Sequence, residues 1–154
     1  MPDAEIARAV HVVAVVLWIG GVGFVTLCLL PYCRTEVPPA VAVATFEAME
    51  RRFAALARFA ILAAGLSGLW MVGRYGLWDR FLDPAFWWMP GMVLVWLMFF
   101  LAVFVAEPLF LHRWFARRAA ADPVGTLRLL WRLHLILLTA SLIVAFSAVR
   151  GVHG

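Results

Sequence analysis

The sequence predicts an all-α membrane protein, an up-down bundle of four transmembrane helices. Hydrophobic residues make up 66% of the 154 residues, whereas soluble domains contain about 45–50%, and the mean hydropathy is +0.96. These residues form four long apolar runs, each able to cross a hydrocarbon core of about 30 Å. The connections between runs are short or partly helical, so neighbouring helices are expected to be antiparallel.

Each predicted helix can be placed on the sequence, and together they make one transmembrane domain of residues 1–154. Pro31 is expected to end the first helix, because an interior proline removes a helical hydrogen bond. An amphipathic surface segment is predicted at about residues 41–52. Asp122 is predicted to cap the fourth helix and Pro123 to be its first residue. The four helices are expected at about residues 5–30, 54–74, 86–118 and 123–150.

Charge and tryptophan placement predict the orientation. All thirteen basic residues are arginines; nine lie near one set of helix ends and four near the other. Because basic residues are enriched in cytoplasmic loops, we expect a bacterial-type inner (plasma) membrane protein with both termini on the outer, periplasmic side. The arginines flank apolar runs, so no nucleic-acid partner is indicated. Tryptophans expected in the two interfacial belts are Trp70, Trp78, Trp87 and Trp88 outside, and Trp114 and Trp131 inside.

Two histidines form the most informative polar pair within the predicted helices. His112 and His134 are nearly symmetric about the turn at residues 122–123, so they are expected at similar depth. Two imidazoles facing each other across a bundle can ligate a haem iron from both sides. Alternatively, His112 is an interfacial residue and His134 bonds a neighbouring helix. Arginines expected near the haem propionates, which suit their planar guanidinium groups, are Arg58, Arg113, Arg128 and Arg132.

A second group of candidate ligands is expected at the outer side. Imidazole and thioether groups together suit Cu(I), a soft ion, and His11 could instead serve a second haem. Alternatively, the methionines fill packing gaps and His153 is a tail residue. The complete set of candidate metal ligands is His11, His112, His134, His153, Met71, Met89 and Met92.

Further polar and small residues carry structural expectations. Glu107 is expected to pair with Arg58 or Arg132, with a proton-relay role as the alternative. His11 and Trp18 are seven residues apart and should share a helix face. Two cysteines are too few for a disulfide framework. Cys28 and Cys33 are expected to be free thiols, with a metal-binding or redox pair as the alternative.

Two short motifs resemble a known family. The segment His11-x6-Trp18-Ile19-Gly20-Gly21 is similar to the first helix of the copper-resistance protein D (CopD) family and of the related HemJ-type protoporphyrinogen oxidases. Residues 51–53 with Arg58, followed by residues 64–68, resemble their second helix. The resemblance implies that His11 is a haem b ligand, as in the HemJ type, or that the protein handles copper, as in the CopD type. HemJ-type proteins also use a lysine in a later helix, and this chain has none.

These observations lead to one expected function and two alternatives. The expected function is a haem b membrane protein that exchanges electrons with a quinone or a redox protein. The alternatives are a copper-binding protein for copper uptake or resistance, and a cofactor-free assembly subunit. If the protein is an enzyme, it is expected to be a membrane oxidoreductase. The expected partners are the lipid bilayer, the quinone or redox protein, and a second copy of the chain.

Overall fold

The structure, a computed structural model, describes residues 2–151, except for the side chains of Pro2 and His112. Within that range it consists of helices and connecting turns, with no β-strand. The predicted all-α membrane bundle is confirmed. Four helical spans within the described residues are long and apolar enough to cross a membrane: the first, Asp3–Thr35; the second, Pro39–Tyr75; the third, Trp88–Leu111; and the fourth, Pro123–Gly151.

The first span does not end at Pro31, so that prediction is wrong. Helix α1 (Pro2–Phe24) continues through a π-helical turn (Val25–Leu29) into α2 (Leu30–Thr35). In the π turn the Leu30 N–H bonds to the Val25 carbonyl. Pro31 then lies in the first turn of α2, where its missing N–H is tolerated.

The second span is one unbroken helix, α3 (Pro39–Tyr75). The sequence separates a surface segment at residues 41–52 from a span at residues 54–74, but the structure joins them. No glycine or proline occurs between residues 40 and 64, so nothing in the backbone chemistry interrupts the helix. Gly76, with φ of 62°, ends it in the left-handed conformation that favours glycine. With 37 residues, α3 is about 55 Å long and extends well beyond a hydrocarbon core of about 30 Å.

The third span combines three helical segments. Two short 3₁₀ turns, Trp78–Phe81 and Pro84–Phe86, precede it. Helix α4 (Trp88–Leu101) leads into a ten-residue π-helical segment (Ala102–Leu111), and α5 (His112–Ala121) follows without a break. The helical run therefore ends three residues later than predicted.

The fourth span, α6 (Pro123–Gly151), begins where the sequence predicts. Asp122 Oδ1 accepts a hydrogen bond from the Gly125 N–H at 2.8 Å, which confirms Asp122 as the N-cap. The Asp122 carbonyl also accepts a bond from the Thr126 hydroxyl at 2.6 Å. These bonds fix a tight turn between α5 and α6.

Neighbouring helices run antiparallel. The His11 ring lies against Gly68 and the Phe53 ring occupies the space beside Gly21, so α1 and α3 run in opposite directions. The Trp96 indole packs on Gly65 and donates to the Ile61 carbonyl at 2.8 Å, which ties α4 to α3.

The fourth span completes the bundle, which has two distinct ends. Gly91 packs against Val144, and Trp88 packs against Gly151, so α4 and α6 are also antiparallel. We call the end that holds Gly76, Trp88 and Gly151 the terminal end. We call the opposite end, with the turns after Thr35 and Ala121, the arginine-rich end.

The buried apolar residues form two separate clusters. The terminal-end cluster joins all four spans through Ala14, Trp18, Val22, Ala60, Ile61, Ala64, Phe99 and Leu138. The arginine-end cluster joins α2, α5 and the beginnings of α3 and α6 through Val25, Leu29, Leu30, Cys33, Ala42, Phe46, Phe115, Ala119 and Leu127. Helix α3 is longer than a bilayer is thick, and its charged residues Glu47, Glu50, Arg51 and Arg52 lie in the half that carries this cluster. We therefore place the arginine-end cluster at or beyond the membrane surface.

Four of the six predicted belt tryptophans are exposed, and two are not. Trp88 is only 8% exposed and packs against the end of α6, because Gly151 leaves space for its ring. Trp131 is half-buried, with the Arg34 guanidinium 4.8 Å from its ring centroid. The exposed members are Trp70, Trp78, Trp87 and Trp114.

Candidate functional site

A polar level separates the two apolar clusters, and we call it the polar seam. On each of three helical spans, the polar seam is the stretch between residues of the terminal-end cluster and residues of the arginine-end cluster. These stretches are residues 54–59 of α3, residues 105–114 of the third span and its continuation, and residues 132–136 of α6. Charged and imidazole groups inside a membrane protein are costly unless they have partners. The described side chains of this kind at the seam include those of Arg58, Glu107 and His134.

An ion pair connects two spans at the seam. Arg58 Nη2 donates a hydrogen bond to Glu107 Oε2 at 3.1 Å, so the predicted pairing of Glu107 with Arg58 is confirmed. The side chains are 44% and 39% exposed. Residues 59–73 of α3 are free of charge and span only about 22 Å, which is less than a hydrocarbon core of about 30 Å. Arg58 therefore lies within the part of α3 that crosses the membrane. Pro108 lies beside Glu107 in a π-helical segment, a geometry that often marks functional sites.

His134 faces the interior of the seam with one ring nitrogen free. Its Nδ1 lies 2.9 Å from the Leu130 carbonyl oxygen, and a carbonyl can only accept, so Nδ1 carries the proton. In the neutral imidazole, Nε2 is then unprotonated and has its lone pair available. The predicted alternative placed this bond on a neighbouring helix, whereas the structure places it on α6 itself. Leu127, His134 and Leu138 share one face, and His134 is half-buried there.

Two of the predicted histidine ligands cannot be placed as ligands. His112 is the first residue of α5, but its side chain lies outside what the structure describes. His153 lies outside the described residues. That the His112 and His134 side chains face each other therefore remains a prediction.

His11 occupies a second polar site, between α1 and α3. Its Nδ1 lies 2.9 Å from the Ala64 carbonyl oxygen and 3.2 Å from Ser67 Oγ. Ser67 Oγ donates to the Ala63 carbonyl at 2.5 Å, so it can accept from the Nδ1–H of His11. A Cβ at Gly68 would lie 3.1 Å from His11 Cε1, so glycine makes room for the ring. His11 is thus half-buried with Nε2 unprotonated, like His134.

Trp18 lies two turns after His11 on the same face, as predicted. It is 4% exposed and meets Phe99 edge-on, with ring centroids 5.0 Å apart. Its indole N–H has no hydrogen-bond acceptor among the described residues. The terminal-end cluster, which contains both rings, separates the His11 site from the polar seam.

The methionine candidates are distributed over two helices. Met71 follows Ser67 by one turn on the face that His11 contacts. Met89 is buried and Met92 half-buried in the first turns of α4. Among the described residues, no three His, Cys, Asp or Glu side chains converge on a common point. Cys28 is exposed and Cys33 is buried, and both are free, as predicted.

The remaining arginine candidates lie at the surface. Arg113 and Arg132 are exposed, and neither has an ion pair within the described part of the chain. Arg113 is two residues before the buried Phe115, so it lies nearly opposite the buried face of α5. The structure therefore does not direct Arg113 into the bundle interior.

Sequence reasoning missed the partners that orient His11. The signal in the sequence is a serine between Gly65 and Gly68. The missing side chain of Gly68 leaves room for the His11 ring, whereas that of Gly65 leaves room for Trp96. Which α3 carbonyl meets His11 depends on the register of the two helices, which one sequence does not specify.

The arrangement provides two imidazoles, each anchored through Nδ1–H and each with Nε2 available, on opposite sides of an apolar cluster. Such imidazoles can ligate a metal or accept a proton. Comparison of the chain with protein-family models, with curated proteins and with solved structures finds no match. The chemistry of the site is accordingly argued from its own geometry.

Proposed function

We propose that this protein is a haem b-binding redox protein of the membrane, in which His134 and His112 at the polar seam would hold the haem. The observation that carries the proposal is the anchoring of His134. Iron-ligating imidazoles usually donate their other N–H to a carbonyl or carboxylate, which fixes the tautomer and the ring orientation. The bond from Nδ1 of His134 to the Leu130 carbonyl has this form.

The donor set of the seam fits haem better than it fits a lone metal ion. Haem iron needs one or two protein ligands, whereas structural and catalytic ion sites usually need three or more. No cluster of three such groups exists among the described residues. When bound, haem would supply one-electron transfer at its iron.

Other residues at and near the seam have defined roles in this proposal. Arg132 is exposed and has no ion-pair partner among described residues, so its guanidinium is free to pair with a propionate. Arg58 is already paired with Glu107, so its guanidinium is less available to a propionate than that of Arg132. The terminal-end cluster excludes water on one side of His134.

His11 is proposed as the ligand of a second site. Its Nδ1–H is fixed by α3 as that of His134 is fixed by α6. The resemblance of its segment to the CopD and HemJ-type families supports the same role, and we propose that the chain is related to them. In this proposal a quinone or a redox protein exchanges electrons with the haem, and the arginine-rich end faces the cytoplasm of a bacterial-type inner membrane.

The test is an absorption spectrum of the detergent-purified protein, first air-oxidised and then reduced with dithionite. We expect a Soret band and, on reduction, sharpened α and β bands. His134→Ala should remove most of this absorption, whereas His153→Ala, at a predicted tail residue, should retain it. A featureless visible spectrum from correctly folded protein would contradict haem binding.

Copper is a second candidate because Met71 lies one turn beyond the His11 site on the same face of α3. An imidazole and a thioether there form the beginning of a Cu(I) site. Metal analysis of the protein after incubation with Cu(I) should then give bound copper that His11→Ala and Met71→Leu both reduce. The control is Met49→Leu, because Met49 is exposed on α3 before the polar seam.

A further inference from the structure

The α5–α6 hairpin carries an unbalanced positive charge. Residues 108–149 contain five arginines and a single carboxylate, Asp122. That carboxylate is already engaged, because its Oδ1 caps α6 through the Gly125 N–H. In the first half of the chain, by contrast, Glu36, Glu47 and Glu50 accompany the arginines of the same end. The hairpin therefore lacks an internal counterion.

On α5 the arginines lie away from the core. Phe115 and Ala119 are the buried residues of this helix. Arg113 and Arg117 are one turn apart, each two residues before a buried one, so both lie nearly opposite the core. Both are exposed. Arg118 is engaged differently, with its guanidinium 5.8 Å from the Trp114 ring centroid.

On α6 two further arginines lie at matching levels. Arg128 and Arg132 are exposed and one turn apart. The turn at residues 122–123 is midway between Arg117 and Arg128, and also midway between Arg113 and Arg132. In an antiparallel hairpin, each of two successive levels therefore carries two arginines. None of the four has a hydrogen bond or ion pair with a described residue.

These levels coincide with the edge of the membrane. The apolar run of the third span ends at Leu111 in the sequence, and Arg113 follows two residues later. Trp114, exposed on α5, is typical of the interface between hydrocarbon and headgroups. The two arginine levels therefore fall where lipid phosphates lie.

We propose that these four arginines form a binding site for the phosphate of an anionic phospholipid in the leaflet at the arginine-rich end. Guanidinium groups bind phosphate through paired, charge-assisted hydrogen bonds. A basic residue near an anionic membrane surface strengthens binding about fivefold. Arg132 is also the proposed partner of a haem propionate, whereas Arg113 and Arg117 lie away from the bundle interior and belong to the lipid site alone.

The experiment is a titration of detergent-purified protein with short-chain phosphatidylglycerol, followed by native mass spectrometry. Wild-type protein should bind phosphatidylglycerol at least tenfold more tightly than phosphatidylcholine of the same chain length. The double variant R113Q/R117Q, which leaves Arg132 in place, should lose more than tenfold in affinity, given about fivefold for each arginine. R113K/R117K, which keeps the charge but not the planar fork, should lose less.

The matched control is R8Q/R150Q, which removes two exposed arginines from the terminal end and should leave the affinity unchanged within twofold. Equal binding of the two lipids, or full binding by R113Q/R117Q, would overturn the proposal. Displacement of the lipid by millimolar inorganic phosphate would also overturn it, because the site would then take free anions. Retention of phosphatidylglycerol in the presence of a soluble acidic peptide supports a lipid site over a protein partner.

Discussion

The terminal-end and arginine-end clusters bury apolar residues in different ways. The terminal-end cluster brings backbones together over small residues such as Ala14, Ala60 and Ala64, with Trp18 meeting Phe99 edge-on. The arginine-end cluster also contains Ala42 and Ala119, but its centre is a contact between two phenylalanines, Phe46 and Phe115, with ring centroids 6.2 Å apart.

The difference follows from the solvent on each side. Inside a bilayer, lipid tails are as apolar as the side chains, so association depends on close packing of small residues and on hydrogen bonds. At the arginine-rich end, water restores the hydrophobic effect, which rewards the burial of large apolar groups. One continuous helix, α3, thus takes part in two kinds of core, and the polar seam lies where they meet.

The largest expected effect is the removal of an aromatic ring from the water-side core. Phe46→Ala should reduce the free energy of unfolding by about 3–5 kcal/mol, because both the transfer free energy and the packing contacts of the ring are lost. Phe99→Ala is the matched change in the terminal-end cluster. Phe99→Ala should cost about 1–2 kcal/mol of the free energy of unfolding. Removing a ring inside lipid loses its packing contacts, but little transfer free energy. Denaturant titration of both variants in one detergent would measure the difference, and equal losses would contradict the distinction.

A bulky substitution should distinguish a close helix contact from open helix surface. Gly68→Val places new carbons against the His11 ring and should destabilise the protein by about 1–3 kcal/mol. Gly73 lies on the same helix, and a Cβ added there would meet no other atom within 4 Å. Gly73→Val should therefore stay within about 0.5 kcal/mol of wild type. Thermal unfolding followed by tryptophan fluorescence would measure both changes, and similar melting temperatures for the two variants would argue against the His11–Gly68 contact.

The ion pair at the seam should behave as a coupled unit. Arg58→Ala leaves Glu107 without its partner and should cost about 1–2 kcal/mol, since both side chains are partly exposed and the loss is smaller than for a buried pair. The double variant Arg58→Ala/Glu107→Ala should recover part of that loss. Arg132→Ala, which removes an arginine without a described ion-pair partner, is the control and should have little effect. Additive losses in a double-mutant cycle would mean that the pair is not coupled.

The smallest effect should separate the two anchored histidines. In cofactor-free protein, His11→Ala should cost about 1 kcal/mol, because it removes a hydrogen bond between two helices. His134→Ala removes a bond within one helix and introduces a strong helix former, so its cost should be smaller. The measurement is the melting temperature of each variant before any cofactor is added. A larger loss for His134→Ala would reverse this ranking.

Much of this fold was predictable because it depends on local chemistry. Four apolar runs specify four spans, and the Asp122–Pro123 pair specifies the start of α6. The shared face of His11 and Trp18 follows from helical periodicity alone. The pairing of Glu107 with Arg58 was one of two named outcomes, since a carboxylate in an apolar span needs a cation near it.

What the sequence did not predict depends on tertiary context. Pro31 has the chemistry of a helix stop, but a preceding π turn lets the chain continue through it. Trp88 has the position of an interfacial residue, yet Gly151 on another helix provides space to bury it. The carbonyl that anchors His11 depends on how far α1 slides along α3. None of these is encoded within a single window of the chain.

The π-helical segment Ala102–Leu111 also gives the chain spare length. Each of its hydrogen-bonded rings contains one residue more than an α-helical ring. The ten residues make about two such turns, so if one residue is deleted from each turn the segment can close as an α-helix and leave α4 and α5 close to their original rotational phase. In the middle of α3 there is no such slack, and each deleted residue turns every later side chain by about 100°. The third span is therefore the helix of this bundle in which a change of length is most easily absorbed.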